Sequence, residues 1–511
     1  MSTTIFISAG EASGEHYGAL LVAALKQQLA AAGQTAEFFG MGGTRMEAAG
    51  LERVVHAEEM AVMGLTEVVR HLPRIYREFR KLKKAIRERR PSVAVLIDFP
   101  EIHFRLAKEL HRLGVPVIFF VSPQLWAWKK HRIKLVQKYI REMLVIFPFE
   151  EPFYREHGIQ AEFVGHPLAE LPLPAIGREQ FAAENKLDPA KTWIGLLPGS
   201  RPKEIRDHLP VILQAAREIE QSAEKTVELE GNPVSGAKQA AEKGRIAGES
   251  AEEHPSGAKA RVDLIAFMAR LKSCPVTKRE DFGMRASFSA TSKAHRSLSA
   301  PYGTTEVVPC YKAQPGEPFS ATSKAQAALA DPDARVQAPA YQFVVPLAPT
   351  LNAAQRAEVR NLVEAHGAGL AVRLVEDARA ALFHARASVV ASGTATVEAA
   401  LIGNPFVVVY RVSPLTYAIA KRVVKVPFVA MANLIAGKLA VPELIQDDFT
   451  AANIVQQIGK LLPDGAARQS MIQELAAIRS ELTTRPAGQG EAGGAIDRVA
   501  EITLETMRQD G

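Results

Sequence analysis

Apolar residues follow two rhythms along this chain. Compact apolar blocks alternate with longer stretches in which apolar residues recur every three or four positions. In the first third the blocks are Thr4–Ser8, Glu37–Gly40, Val93–Asp98, Val115–Ser122 and Met143–Phe147, with helical spacing between them, as at Tyr17–Ala32 and Ile75–Arg89. This alternation predicts parallel strands joined by crossover helices. The block Val93-Ala-Val-Leu-Ile-Asp98 is apolar until its last residue, as expected of a strand buried on both faces that ends at a functional edge. A second alternating set has strands at Thr192–Leu197, Tyr341–Leu347, Leu370–Val375, Ser388–Ala391 and Pro405–Tyr410, and helices at 212–220, Ala353–His366 and Thr396–Ile402. The pattern predicts an α/β protein of two Rossmann-like, doubly wound domains. Their expected ranges are 1–168 and 169–511, with a Pro- and Gly-rich linker at 164–177.

Both rhythms fail between residues 219 and 340. This segment is rich in Ala, Ser, Lys, Gly, Glu and Pro, and FSATSKA occurs in it twice, at 288–294 and 319–325. Such a composition buries too little apolar surface to offset chain entropy, so a disordered insertion within the second domain is expected. One short helix is the exception, at 261–272, where Val262, Ile265, Met268 and Leu271 share a face.

Charge narrows the picture further. The chain carries a net +6, yet residues 70–90 alone hold ten Lys or Arg against two Glu, a net +8. A local basic patch points to an anionic partner. Neither a signal peptide nor a spanning helix is expected. The two cysteines, Cys274 and Cys310, fit no disulfide scaffold or zinc spacing, and a reducing, cytoplasmic setting suits them.

Five segments could carry chemistry. ISAGEASGEHYGA (7–19) reads as strand, glycine turn and helix, the start of a phosphate cradle, but Glu11 and Glu15 in the turn would repel an anion. In LLPGSRPKEI (196–205), Gly199 allows a tight turn, Ser200 and backbone N–H groups can hold phosphate oxygens, and Arg201 offers a planar fork for a diphosphate; an ordinary βα turn with a surface Arg is the plain alternative. In ASGTATVE (391–398), Ser392, Gly393 and Thr394 form a polar helix start suited to an anion, and Glu398 could bind ribose hydroxyls. Equally, Thr394 or Thr396 could be a cap and Glu398 a first-turn acid. Asp98 ends its strand either as a general base or as an N-cap, with His103 a rival base. Trp126 and Trp128 stand beside Lys129, Lys130, His131 and Arg132, an arrangement suited to sugars, phosphates or lipid, or to a buried Trp beside a solvated basic face.

Taken together, these segments resemble the lipid-A-disaccharide synthases. The matching stretches are AGEASGE (9–15), GMGGTRM (40–46), AVMGLTEVV (61–69), IDFP (97–100), VSPQLWAW (121–128), FPFE (147–150), FVGHP (163–167), LLPGSR (196–201), ASGTATVE (391–398), ANLIAG (432–437) and VPELIQ (441–446). The resemblance implies a GT-B fold, with two Rossmann-like domains facing a cleft. It implies an inverting transfer from UDP-2,3-diacylglucosamine to 2,3-diacylglucosamine 1-phosphate, with UDP released. Asp98 maps to the family's base. With the nucleotide assigned to the other half, the opening loop with Glu11, Ser13 and Glu15 is expected on the acceptor side, where its carboxylates accept from sugar hydroxyls or hold basic neighbours in place, and Ser122 is a further expected substrate contact. Gly199, Ser200, Arg201, Glu204, Ser392, Gly393, Thr394, Glu398, Asn433 and Gln446 map to nucleotide or other substrate positions. No Asp-x-Asp pair stands in an obvious metal position, so neither metal nor cofactor is expected. The expected setting is the cytoplasmic, anionic face of the inner membrane, which Val62, Leu65, Val68, Val69, Leu72 and Ile75 would touch beside the basic stretch. A homodimer is the assembly to test, and no nucleic acid is expected. The chain departs from the family pattern at Glu15 (usually Asp), at Glu101-Ile102-His103 (usually Asp-Phe-Asn) and at Ala432 (usually Pro). Another GT-B UDP-sugar enzyme such as an epimerase, or a silent membrane-bound nucleotide-binding module, would be the competing readings.

Overall fold

A computed structural model of the chain describes residues 3–57, 65–127, 130–231, 340–423, 426–483 and 493–509. Two parallel sheets organise them. The first contains β1 (Thr3–Ala9), β2 (Ala36–Gly42), β3 (Glu52–His56), β4 (Val93–Ile97), β5 (Val117–Phe120), β6 (Glu142–Val145) and β7 (Ala161–Phe163), in the order β3-β2-β1-β4-β5-β6-β7. The second contains β8 (Thr192–Leu197), β9 (Tyr341–Pro346), β10 (Val372–Val375), β11 (Ala387–Ala391), β12 (Phe406–Tyr410) and β13 (Glu443–Ile445), in the order β10-β9-β8-β11-β12-β13. Strand order reverses between β1 and β4 in one sheet and between β8 and β11 in the other. Crevices at such reversals are where open α/β sheets bind ligands. Register brings the motif-bearing ends level: Ala9 pairs with Ile97, and Leu197 with Val390. The loops that follow these four strands are AGEASGE, the Asp98 turn, PGSR and SGTATVE.

The pleat explains the uninterrupted apolar blocks. Ile5, Ile7, Val93, Val95 and Ile97 face one layer, which the helix Ala12–Ala31 covers with Leu21 and Leu25. Phe6, Ala94, Leu96 and Phe119 face the other, which the helices Leu65–Arg89 and Pro100–Arg112 cover with Leu82, Ile86, Leu106 and Leu110. The second sheet is packed alike, with Ile194 and Leu196 on one side and Trp193 and Val344 on the other.

Several elements differ from expectation. The helix Pro202–Gly231 runs well into the segment expected to be disordered from residue 219. The short helix expected at 261–272 lies outside the described residues. The last helix, Ala495–Gln509, does not join the second sheet, although residues up to 511 were expected there. It packs on the helix Ala12–Ala31 and on β4, and Ile496, Val499 and Ala500 enter the first core. The strands β3, β7 and β13 were not foreseen. The last two have three residues each, too few for any period to show.

A buried polar knot links the halves. Trp126, Phe147 and Phe149 pack against the core of the second sheet, and the Trp126 and Phe149 rings meet edge-on at 5.0 Å. The Trp126 indole N–H donates to Oε1 of Glu150 at 3.1 Å, and the Phe147 amide donates to Oε2 at 3.3 Å. Glu150 is buried, and desolvation pushes its carboxyl up to about 8, against the opposing hydrogen bonds from Trp126 and Ser122.

Glu150 is therefore protonated in the folded protein at neutral pH but ionised in the unfolded chain. Its stabilising effect is full below about pH 4.5 and is lost as pH rises through about 8, with a slope of at most about 1.4 kcal/mol per pH unit. Glu150→Gln should remove that slope. In urea titrations from pH 5 to 9 the variant should gain on the wild type as pH rises, and parallel curves would refute the assignment.

Candidate functional site

Asp98 follows β4 directly. Its amide donates the last ladder bond to the Phe120 carbonyl at 2.9 Å. The backbone then enters the left-handed region twice, with φ of +50° at Asp98 and +49° at Phe99. Pro100 opens the next helix, where its fixed φ fits and its missing N–H costs nothing. Phe99, not Asp98, is the N-cap of this helix, and no side chain caps it. The capping alternative for Asp98 therefore falls away. His103 is no rival base either. It is wholly buried, and desolvation pushes its imidazole down to about 4. Its Nδ1 lies 2.5 Å from the Asp98 carbonyl and its Nε2 lies 2.9 Å from the Ser8 hydroxyl. A carbonyl only accepts, so Nδ1 carries the proton and Nε2 accepts from Ser8. The neighbouring departure Glu101 also has a partner, Arg132, at 2.7 Å.

The opening loop sits beside this turn. A Cβ on Gly10 would come within 2.4 Å of the Phe99 ring, so only glycine fits there. Glu11 is the N-cap residue of the helix Ala12–Ala31, and Ser13 lies in its first turn; no side chain caps that helix. Glu15 turns away to a second helix start: its Oε1 accepts the Arg45 amide at 2.7 Å, at the head of Thr44–Ala48. Its carboxylate thus ties the opening helix to the start of the next one. Ser122 is buried, with its hydroxyl 2.8 Å from that of Tyr154.

On the second sheet, the PGSR turn is closed by its own acid. Glu204 accepts from the Ser200 and Arg201 amides, both at 3.3 Å, and from the Arg201 guanidinium at 2.8 Å. It stands three positions after Arg201 and forms half of a capping box. Gly199 has φ of +128°, and a Cβ there would meet the Glu204 carboxylate at 2.7 Å. His208 braces this loop from below: its Nδ1–H donates to the Pro198 carbonyl at 2.7 Å, and its Nε2 accepts the Arg411 amide at 3.1 Å.

The SGTATVE turn is the opposite case. Gly393 is the N-cap of Thr394–Ile402 without any side-chain cap, and a Cβ there would meet only open space. The Thr396 hydroxyl donates back to the Gly393 carbonyl at 2.7 Å, so neither threonine caps the helix. Thr394 is exposed, and Ser392 reaches the Val429 carbonyl at 3.5 Å. Amides at an uncapped helix start suit an anion. Glu398 lies deeper, 3.8 Å from Nη1 of Arg379, and that nitrogen is buried without a hydrogen-bond partner. Burial raises the Glu398 carboxyl and Arg379 opposes the shift.

Asn433 and Gln446 have their amides engaged by the protein. Asn433 is wholly buried; it donates to the Val441 carbonyl and to Glu443, and accepts the Val441 amide. Gln446, with φ of +55°, exchanges two bonds with Val412, at 2.6 and 3.0 Å. Both brace neighbouring backbone, and Asn433 also holds the Glu443 carboxylate, which their polarity in a motif could not reveal. Sequence reasoning missed Ser8, Tyr17, Glu150, His208 and Arg379. Tyr17 stands in the helix Ala12–Ala31 that follows the opening loop. Burial, then the charges of Glu398 and Asp98, raise its hydroxyl pKa, so it lies within electrostatic reach of a carboxylate from each half.

A family model described as lipid-A-disaccharide synthetase matches residues 5–233 and 328–486. A lipid-A-disaccharide synthase of Acidobacterium capsulatum is 46% identical over 99% of this chain and 96% of its own. One of Koribacter versatilis is 37% identical over 98% of both. Among solved structures, a putative UDP-N-acetylglucosamine 2-epimerase from Listeria monocytogenes is 11% identical with a TM-score of 0.49, covering 100% of this chain and 98% of its own. A calicheamicin glycosyltransferase is 15% identical with a TM-score of 0.47, covering 99% of both. Likeness at that level decides nothing about chemistry. The family match and the full-length relatives do: this chain, with its two Rossmann-like halves in the GT-B manner, is a glycosyltransferase that belongs to the lipid-A-disaccharide synthase family.

Proposed function

We propose that the chain transfers 2,3-diacylglucosamine from UDP to the 6-hydroxyl of 2,3-diacylglucosamine 1-phosphate, inverting the anomeric centre. The single observation that carries this reading is Asp98 on its left-handed turn at the strand-order reversal of the first sheet. A carboxylate there can take the acceptor proton as the hydroxyl oxygen attacks C1 of the donor sugar. The bond from C1 to the diphosphate breaks, and UDP leaves with the electron pair. Its charge calls for preorganised donors. Arg201, the Gly199–Ser200 amides and the open helix start at Ser392–Thr394 supply them. Glu398 suits the ribose hydroxyls. Glu204 then acts as the internal acid that a diphosphate meets or displaces at PGSR. Asn433 and Gln446 support these loops from behind, Glu15 and Ser122 do so on the acceptor side, and Glu11 and Ser13 remain at the mouth of the opening loop.

The acylated substrates require contact with lipid, and the helix Leu65–Arg89 suits an anionic, inner-membrane surface on the cytoplasmic side. The expected contacts Val62, Leu65, Val68, Val69 and Leu72 lie outside the described residues or side chains, and Ile75 packs partly into the first core. Some of the basic side chains are committed elsewhere: Glu78 pairs with Arg77 and Lys81, and Glu109 with Lys83 and Arg87. Arg80 and Lys84 are exposed; Lys84 lies 3.7 Å from the exposed Glu88, and Arg80 lies over the ring of Tyr76, itself 62% exposed. No described helix is long and apolar enough to cross a membrane.

Asp98→Asn should lower kcat for disaccharide formation at least about 100-fold while UDP still binds; retained turnover would refute the base. Arg201→Ala should weaken UDP binding by about 10- to 100-fold in calorimetry, the scale of a lost charge-assisted contact. An unchanged affinity would remove Arg201 from the diphosphate site. In co-sedimentation with phosphatidylglycerol vesicles, Arg80→Gln combined with Lys84→Gln should weaken binding roughly 10-fold or more, at about 1 kcal/mol per basic residue. Equal binding would place the membrane contact on another face.

A further inference from the structure

Two consecutive non-glycine residues in the left-handed region cost on the order of 1–3 kcal/mol each, and they persist only where their surroundings impose them. At Asp98 and Phe99 those surroundings are specific. The Asp98 amide is tied to Phe120 on β5. The Phe99 ring lies against the bare Cα of Gly10. The Asp98 carbonyl, which the turn takes out of the ladder, is met by Nδ1–H of His103, and the far nitrogen of that ring is met by the hydroxyl of Ser8 on β1. The imidazole is wholly buried, with the Phe99 ring edge-on at 5.8 Å and the Phe119 ring edge-on at 6.1 Å. The chain Ser8–His103–Asp98 thus spans the β1–β4 reversal and ends on the peptide that carries the carboxylate.

We propose that His103 is a positioning residue for the transfer: a neutral strut, tethered by Ser8, that fixes the peptide after Asp98 and so aims the Asp98 carboxylate at the acceptor hydroxyl. The proposal rests on the reading of Asp98 as the base. His103 itself takes no proton from substrate, because both ring nitrogens are engaged and the ring is sealed from solvent.

The chemistry of the strut sets the test. An Asn amide nitrogen falls where Nδ1 stands, so His103→Asn keeps the donor to Asp98 and loses only the tether. His103→Phe keeps the ring and loses both bonds. With saturating substrates, His103→Phe should lower kcat about 10- to 100-fold, the effect of a misplacement near 1 Å. His103→Asn should stay within about threefold of the wild type, and Ser8→Ala should fall between the two. UDP affinity should not change, since its site lies on the other sheet. The decisive measurement is the double-mutant cycle: in the Asp98→Asn background, His103→Phe should change the residual rate less than about twofold. An unchanged kcat in His103→Phe, a loss confined to KM for the UDP-sugar, or equal losses with and without Asp98 would each overturn the proposal while leaving Asp98 as the base. An Asp98→Asn enzyme with full turnover would overturn both readings. Should His103→Phe fail to fold, Ser8→Ala and His103→Asn in the same cycle carry the test, and a Ser8→Ala loss that persists without Asp98 overturns the proposal.

Discussion

A parallel strand hands its last amide to a neighbour and then has to leave the sheet within a residue or two. In the first sheet this exit happens twice at one level. Ile97 pairs with Phe120, and the next residue on each strand, Asp98 and Val121, has positive φ, +50° and +63°. For a β-branched residue such as Val121 this conformation is a genuine outlier. Its amide still reaches the Leu144 carbonyl at 3.1 Å, so the ladder is completed before the chain turns. The two exits place Asp98 level with Val121, with Ser122 one residue further on, at the sheet edge where open α/β folds bind ligands. Gly10, Ser8, His103 and Tyr154 are all there to hold these exits. The N-terminal half is organised around that strained edge.

Backbone amides exposed by such turns must find acceptors, and this protein uses internal acids. Glu15 serves the Arg45 amide, Glu204 serves Ser200 and Arg201, and Glu443 serves Val429 and Ala430. Each does what a bound anion could do. The start of Thr394–Ile402 is different, since no side chain caps it. The two turns that face the proposed diphosphate are therefore not equivalent. One offers free amides, and the other offers Arg201 already paired to an acid.

Much of this was legible in the sequence. The apolar blocks located the long inner strands, because burial on both faces leaves an unbroken signature. Edge strands such as Ala161–Phe163 carry no such mark. The last helix was assigned to the wrong sheet, because the spacing of Ile496, Val499 and Ala500 reveals a face but not what it packs against. Motifs located the candidate loops but not the direction of their side chains. Glu15, Asn433 and Gln446 have the polarity expected of ligand-binding groups, and each makes hydrogen bonds within the protein that the motifs do not reveal. His103 looked like a departure that weakened the surroundings of Asp98. Only the fold shows it 2.9 Å from a serine that lies on a different strand.

A histidine is a demanding neighbour for a general base. As a cation next to a carboxylate it would favour the ionised form and make Asp98 a weaker base. Burial removes that conflict, because desolvation holds His103 neutral down to about pH 4. Its one proton is committed to a carbonyl, so the ring supplies rigidity without charge. The surrounding rings of Phe99 and Phe119 keep water away and so keep the imidazole neutral. The same apolar packing that stabilises the turn thus keeps the His103 ring from adding a positive charge beside the Asp98 carboxylate, so the strut does not weaken the base that it aims.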